Sequence, residues 1–584
     1  RKKGPGIAAG DAAMIIKPNI YTMADMFVDA GYSTGVIGKW HLGLGDKAGQ
    51  QDWNGLVSPN PSDIGFEFSH IMAATADRVP CIWIENGRAL GLSPDDPVEV
   101  SYTKNFPGEP TGKDNPELLR LHPSHGHDMS IVNGISRIGY MRGGKSALWR
   151  DQDIQDSIIA NAVRFIEEKS ASDKPWFLYL ATNDIHVPRD PHERFVGKSG
   201  HGLRGDALLS FDWGVGEVMK TLERLGIDEN TIVVLSSDNG PVIDDGYKDQ
   251  AVELLGDHKP AGDLRGGKYS NYEAGTRVPC ILRWKNHVKP GVNDLLMSQL
   301  DWFASFAAMT GVTLPDGAAP DSENLLDAWL GKSEKGKEYF VTQNIQNFLG
   351  ITDGEWKFIP RNNAPALNVQ TNTELGNSPK DQLFKLNGDR SESVNVIDKN
   401  PEVAAKLKKE LESEAGEVTG WYEKDGKLHA LEAWWGLGKR EERFYYTLSE
   451  IEPSDTHPAI MARITDIKAL LEVIGLNENA PEDRFQAVFS IKDPIIPENE
   501  GRWLWKLEKN GGTLERMIGL GLQTEAEGSE QAILSSSEVL EINIDEFAQW
   551  IFGYRPLEEI SGVAPPFWTE YVRTLRGVFL DEVV

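Results

Sequence analysis

The chain has 584 residues, 40% hydrophobic and 26% charged. That is material for roughly two to four folded domains and too apolar for a disordered polymer. Sixty Lys and Arg against 89 Asp and Glu leave a formal net charge of -29, which excludes a general binder of nucleic acid or anionic membrane, because phosphate would be repelled. Two cysteines, Cys81 and Cys280, exclude a disulfide scaffold or a zinc ribbon and are read as buried structural residues; no apolar run reaches the ~20 residues of a membrane helix.

In chain order, residues 20–30 place apolar side chains at helical spacing and stop at Gly31, and residues 33–37 form a short strand. Residues 153–169 make an amphipathic helix, 175–181 a buried strand, 206–225 a long helix, and 231–235 a second buried strand that runs into Ser236-Ser237-Asp238-Asn239-Gly240. Continuously apolar strands alternating with helices predict an α/β fold with a mostly parallel central sheet sandwiched by helices. Chemistry in such sheets sits at the carboxyl ends of strands, where residues 183–186 and 238–239 fall. Residues 336–415 predict a small antiparallel subdomain, with strand-like pieces at 355–359 and 382–386 and a helix at 400–411 with Pro near its start. The character changes near 414–420. Residues 416–584 carry roughly half of the net negative charge and alternate as half-exposed strands at 486–491, 502–507 and 539–542, with a helix at 544–552. The predicted organisation is an α/β core over 1–335, the antiparallel subdomain over 336–415, and a separate α+β domain over 416–584.

Four strings carry chemistry. Gly31-Tyr-Ser-Thr-Gly-Val-Ile-Gly-Lys39-Trp-His41-Leu-Gly43 runs a strand into a glycine turn, after which a lysine and a histidine alternate toward one side. Thr182-Asn-Asp-Ile-His186-Val-Pro188 ends the strand at 175–181, and Asp238-Asn239-Gly240 ends the one at 231–235. Leu264-Arg-Gly-Gly-Lys268 precedes Glu273-Ala-Gly-Thr-Arg-Val-Pro279. Singly, each has an ordinary reading: a solvated loop lysine, a histidine before a proline turn, an Asp-Asn-Gly turn. Together and in this order they resemble the sulfatase family of the alkaline-phosphatase superfamily, over residues 1 to about 413. Residues 64–68, Asp77-Arg78-Val79-Pro80 and residues 139–145 resemble bacterial arylsulfatase-type members acting on sulfated carbohydrates.

The resemblance implies hydrolysis of a sulfate monoester on a small molecule or carbohydrate. Lys39 would bridge the nucleophile and a sulfate oxygen, and His41 would orient the nucleophile's hydroxyl. His186 and Lys268 would hold the sulfate and serve the leaving oxygen. Asp238 and Asn239 offer oxygen donors suited to Ca²⁺ or Mg²⁺ rather than zinc. Preorganised positive charge and a proton donor are what S–O cleavage needs. Members of this kind are periplasmic or secreted. The family's nucleophile is a formylglycine made in a Cys/Ser-x-Pro-x-Arg motif ahead of the Gly-Lys-Trp-His string. That motif occurs nowhere in the 584 residues, and the family's N-terminal paired aspartates are missing too. The expectation is therefore that a segment with the first strand and the nucleophile precedes Arg1, and that these residues alone are inactive. Two other readings stand beside it: a non-catalytic remnant or binding protein, and a phosphoesterase on the same scaffold, which the Gly-Lys-Trp-His string disfavours. Residues 458–584, through Trp503-Leu-Trp-Lys-Leu and Asn543-Ile-Asp-Glu-Phe, resemble the sterol-carrier-like C-terminal domain of bacterial GNAT acetyltransferases. That resemblance implies a proton-transfer role for the terminal carboxylate of Val584; no acetyl-CoA loop of the Arg/Gln-x-x-Gly-x-Gly/Ala kind occurs in 417–457.

Overall fold

A computed structural model describes residues 7–419, 421–424, 427–430, 484–492, 501–508, 511–517 and 539–543. The chain divides into two compact units, Lys3–Ala415 and Gly416–Val584. In the first, α1 (Met23–Asp29) begins where the Thr22 hydroxyl accepts the amides of Ala24 and Asp25 and the Asp25 carboxylate accepts the amide of Thr22, a reciprocal cap. The cap starts the helix three residues later than the apolar spacing predicts. β1 (Ser33–Lys39) follows and pairs in parallel with β2 (Phe68–Met72) on one edge and β5 (Trp176–Ala181) on the other. β3 (Trp83–Glu85) and β4 (Arg88–Ala89) add an antiparallel edge beyond β2, giving the order β4-β3-β2-β1-β5. The parallel core thus carries an antiparallel margin.

Helices cover both faces. α2 (Ile154–Ser170) packs on β1 and β5 and on α3 (Gly202–Leu225), burying Ile158, Ile159, Ala162 and Phe165. On the other face, Phe27 of α1 stacks on Phe177 of β5 at 4.2 Å and meets Phe306 of α4 (Trp302–Thr310) at 5.6 Å. β1 is buried from Ser33 to Gly38. Gly38 there has φ +103, and a Cβ on it would stand 2.0 Å from the carbonyl oxygen of Ala181 in the neighbouring strand. Only glycine brings the two strands this close.

α3 leads to β6 (Val233–Ser236), which pairs antiparallel with β7 (Cys280–Arg283). The segments 175–181 and 231–235, predicted as fully buried strands, are not: every residue of β5 and β6 keeps some exposure, and Tyr179 is 48% exposed. The cause is pairing. β5 bonds only to β1 and β6 only to β7 among the described residues, so each has one open edge. Cys81 is buried as expected, whereas Cys280 is exposed, because the outer face of β7 carries no covering layer of described residues.

The remainder of the first unit is an antiparallel sheet of β8 (Phe340–Gln343), β9 (Leu349–Thr352), β10 (Trp356–Ile359) and β11 (Gln382–Lys385), in that order. Ala404, Leu407 and Leu411 of α5 (Pro401–Thr419) pack on its Ile351, Phe358 and Leu383. In the second unit, β12 (Arg484–Lys492), β13 (Gly501–Glu508), β14 (Gly511–Met517) and β15 (Val539–Asn543) form a sheet of order β14-β13-β12-β15, antiparallel except for the β12–β15 pair. Trp503, Leu504 and Trp505 are consecutive and all buried, so this stretch of β13 is covered on both faces rather than half-exposed as its alternation predicts. The predicted helix at 544–552 and Val584 lie outside the described residues. No described helix is long and apolar enough to cross a membrane.

Candidate active site

The carboxyl ends of β1, β5 and β6 face a common cavity of about 2180 Å³, and Lys39, His41, His186, Asp238, Asn239 and Lys268 all line it. Lys39, the last residue of β1, donates from Nζ to Asp238 Oδ2 at 3.1 Å. The two are 199 positions apart, so the contact measures how closely the ends of β1 and β6 approach. His41 adopts a left-handed backbone, φ 54, which turns its ring inward, and Nε2 donates to the carbonyl of Ala8 at 2.9 Å. Burial, reinforced by Arg78 and Lys39, pushes its pKa down to about 4, so the ring is neutral near pH 7.

His186 follows β5. Its Nδ1 donates to the carbonyl of Val187 at 2.9 Å, which leaves Nε2 as the acceptor side, 3.8 Å from Asp245 Oδ2. Burial lowers its pKa to about 4, with Lys268 and Lys39 adding to the effect against Asp77 and Asp245. Lys268 donates to Asp245 Oδ2 at 2.9 Å. Burial opposes its charge, but the Asp245 carboxylate outweighs burial and holds the ammonium above its ordinary pKa. Burial likewise works against the Asp238 carboxylate, and Lys39 overcomes it, keeping the group ionised. The site therefore presents a charged Lys268 beside two neutral imidazoles.

Four further residues of this cavity escaped the sequence reading as functional groups: Asp77, Arg78, His127 and Asp245. Asp77 is buried and accepts from Arg78 Nη1 at 2.7 Å, His127 Nε2 at 2.9 Å and the Thr75 hydroxyl. Despite burial, these neighbours hold it well below the usual carboxylate range. The Asp77-Arg78-Val79-Pro80 string marked the location but not the role. His127 lies in a His125-Gly126-His127 loop without periodicity, and Asp245 in an Asp244-Asp245-Gly246 stretch that reads as a turn. Lys39, Arg78 and Lys268 each face a carboxylate, Asp238, Asp77 and Asp245 respectively.

For a cation, the donor set fits in kind. Asn239 Nδ2 donates to the carbonyl of Gly240 at 2.9 Å, so its side-chain oxygen is the atom that could serve a cation together with the Asp238 carboxylate. Gly240 is required there, because a Cβ would stand 1.6 Å from the carbonyl oxygen of Ala274. The set falls short in number: calcium takes six to eight oxygens, and among the described residues no group of three or more His, Cys, Asp or Glu is arranged to hold a metal.

Comparison with known proteins places this arrangement. The sulfatase family profile matches residues 15–312, and the profile of the sterol carrier protein domain matches residues 467–563. The chain is 52% identical over 413 residues to the N-acetylgalactosamine-6-O-sulfatase of Bacteroides thetaiotaomicron, covering 71% of this chain and 80% of that protein. Human arylsulfatase A is 26% identical over 411 residues, covering 66% of this chain and 69% of its own length. A solved Bacteroides thetaiotaomicron sulfatase structure, titled for the metabolism of multiple glycosaminoglycans, superposes with a TM-score of 0.68 at 52% identity over 70% of this chain and 84% of that one. The chain belongs to the sulfatase family, the sulfuric ester hydrolases with the alkaline-phosphatase-like α/β fold.

Proposed function

We propose that the substrate is a sulfated sugar, an N-acetylgalactosamine 6-sulfate unit, bound with its sulfate between Lys39 and Lys268. The observation that carries this reading is the 52% identity to an N-acetylgalactosamine-6-O-sulfatase along 413 residues, beside the sulfatase profile match over residues 15–312, which contains all six residues of the converging strings. The sulfate lies between the two lysines while Asp238 and Asp245 keep their contacts with them. Lys268, kept protonated by Asp245, is the charged donor to the leaving oxygen. His186 is neutral and accepts at Nε2, which suits it to a hydroxyl of the sugar or to the proton that passes during cleavage. His41 is fixed by Ala8 and orients whatever oxygen attacks.

Asp238 and Asn239 are the residues that would hold Ca²⁺ or Mg²⁺; such an ion would supply positive charge against the sulfate oxygens. The attacking oxygen, in this family a formylglycine hydrate, comes from outside the 584 residues, whose sequence holds no Cys/Ser-x-Pro-x-Arg. These residues alone bind sulfate and do not turn the ester over. Export to the periplasm or medium follows from substrate access. Residues 467–563, as a sterol-carrier-type module, lie outside this chemistry, and the boundaries 1–335, 336–415 and 416–584 describe the division of labour.

The test is hydrolysis of N-acetylgalactosamine 6-sulfate, the 4-sulfate and an aryl sulfate, by this chain and by a form extended through a Cys/Ser-x-Pro-x-Arg segment and matured in formylglycine-producing cells. Turnover of the 6-sulfate by the extended form, lost in Lys39→Ala and Lys268→Ala, is the expected result. Turnover by the short chain that survives both substitutions would place the chemistry elsewhere.

A further inference from the structure

Lys268 sits in a loop that residues of the antiparallel subdomain hold on both sides. Before it, Arg265 donates to both oxygens of Glu374, at 2.8 and 2.6 Å. After it, the fully buried Asn271 donates from its amide to the Leu375 carbonyl at 3.1 Å and from Nδ2 to the Phe348 carbonyl at 2.8 Å. Two residues further on, Glu273 accepts from Lys357 Nζ at 2.9 Å. Between these anchors stands Tyr269, with φ +83. Glycine adopts that angle freely, whereas a bulky side chain there is strained, and the strain persists only where the surroundings enforce it. The Ile345 amide enforces it by donating to the Tyr269 carbonyl at 3.0 Å. Backbone strain held beside a reacting group points to a use for the side chain.

The path of the phenol shows that use. Its hydroxyl donates to Asp245 Oδ1 at 3.3 Å, while Lys268 Nζ donates to the other oxygen, Oδ2, at 2.9 Å. Nζ also lies 5.2 Å from the centre of the Tyr269 ring. Asp245 thus gives one oxygen to each neighbour. An ammonium carries three N–H donors. One goes to Oδ2, and because the phenol occupies Oδ1, the carboxylate does not draw a second. The remaining donors are left for the sulfate ester.

We propose that Tyr269 is a positioning residue for Lys268: its hydroxyl holds Asp245 to a single contact with the lysine and so keeps ammonium protons available to the departing oxygen. As the S–O bond breaks, its electron pair stays on the sugar oxygen, which takes a proton from Nζ. Tyr269 acts on this step only through Asp245. The inference rests on the reading of Lys268 as the donor to the leaving oxygen. In Tyr269→Phe the ring remains and Asp245 Oδ1 loses its donor. The carboxylate then turns both oxygens to Lys268 and pairs with it more strongly.

The experiment has two readouts. The first uses the 584-residue chain itself: lysine acylation by an N-hydroxysuccinimide ester, followed by peptide mass spectrometry. Tyr269→Phe should slow labelling of Lys268 about threefold and leave the other lysines unchanged, because the stronger pair lowers the fraction of free amine. The second uses the extended, formylglycine-bearing form with N-acetylgalactosamine 6-sulfate and 4-nitrophenyl sulfate. A sugar alkoxide needs the proton, whereas nitrophenolate leaves without it. Tyr269→Phe should lower kcat on the sugar sulfate roughly tenfold, with KM unchanged and no loss on the nitrophenyl ester. Lys268→Ala should show the same split more steeply. Unchanged or faster labelling of Lys268 overturns the proposal, and so does an absence of loss on the sugar sulfate. Equal loss on both substrates in Tyr269→Phe also overturns it, since a merely structural tyrosine would act that way. Equal loss on both in Lys268→Ala would overturn the reading of the lysine as donor, and this inference with it.

Discussion

Glu392 offers a stability test that the fold makes unusually clean. It is wholly buried, its Oε2 accepts the amide of Glu273 at 2.6 Å, and its Oε1 has no partner. Burial pushes its pKa from 4.5 up to about 7, against the pull of Lys357 and the Glu273 amide. The folded chain therefore keeps a proton that the unfolded chain releases. Stability falls as pH rises from the unfolded value of 4.5 to about 7 and is flat beyond it. A shift of this size is worth about 3 kcal/mol. Glu392→Gln retains the acceptor for Glu273 and carries no charge, so it should be more stable than the parent by about that amount near pH 8.5 and nearly equal to it near pH 4.5. Urea unfolding followed by tryptophan fluorescence, with parent and variant compared at both pH values, measures the difference and cancels every other titrating group. Equal pH responses in the two proteins would refute the assignment of a buried, uncompensated carboxyl.

Asp184 behaves in the same direction: burial raises its pKa from 3.8 to about 6, and Oδ2 has no partner, so Asp184→Asn should gain up to about 3 kcal/mol near pH 8 and little near pH 4, read from the same unfolding curves. Arg137 is fully buried, donates to Asp151 at 2.8 and 2.9 Å and also holds the carbonyl of Ala76, the residue before Asp77. Arg137→Met leaves a buried carboxylate and should cost roughly 3–5 kcal/mol in urea unfolding, part of it regained when Asp151→Leu is added. Gly38→Ala drives a methyl into the carbonyl of Ala181 at a positive φ and should cost more than about 3 kcal/mol, seen as loss of soluble folded chain.

How much of this was legible in the sequence depended on where each signal is written. α2 and α3 came through within four residues, because each buries one face and the apolar spacing records it; the start of α1 moved where the Thr22 cap sets it, α5 runs eight residues past its predicted end at 411, and α4 was not read at all. Strands were found and their burial misjudged. An apolar run such as residues 175–181 says that both faces of a strand are meant to be covered, and Phe27 and the α2 residues do cover β5. It says nothing of whether the strand's second edge is paired, since edge pairing is made by backbone and leaves no trace in side-chain type. Tyr179 and the half-exposed residues of β6 are the consequence.

The same distinction explains which site residues the strings revealed. Lys39 and Lys268 each follow glycines whose Cβ would collide with a neighbouring backbone, Gly38 with Ala181 and Gly267 with Pro241 at 2.5 Å, and Gly240 follows Asp238 and Asn239 under the same constraint from Ala274. Tight backbone approach forces glycine beside the functional group, and that pairing is visible locally. The counter-charges carry no such mark. Asp77 reaches His127 across 50 positions and Asp245 reaches Lys268 across 23, through loops that no steric rule ties to glycine. Their identity as partners exists only once the fold has brought them together. A chain with a net charge of -29 has acidic residues to spare, so no single one of them stands out. What singles out Asp245 is that it keeps Lys268 charged inside a cavity where burial alone would favour the neutral amine, and that requires the three-dimensional contact, not the composition.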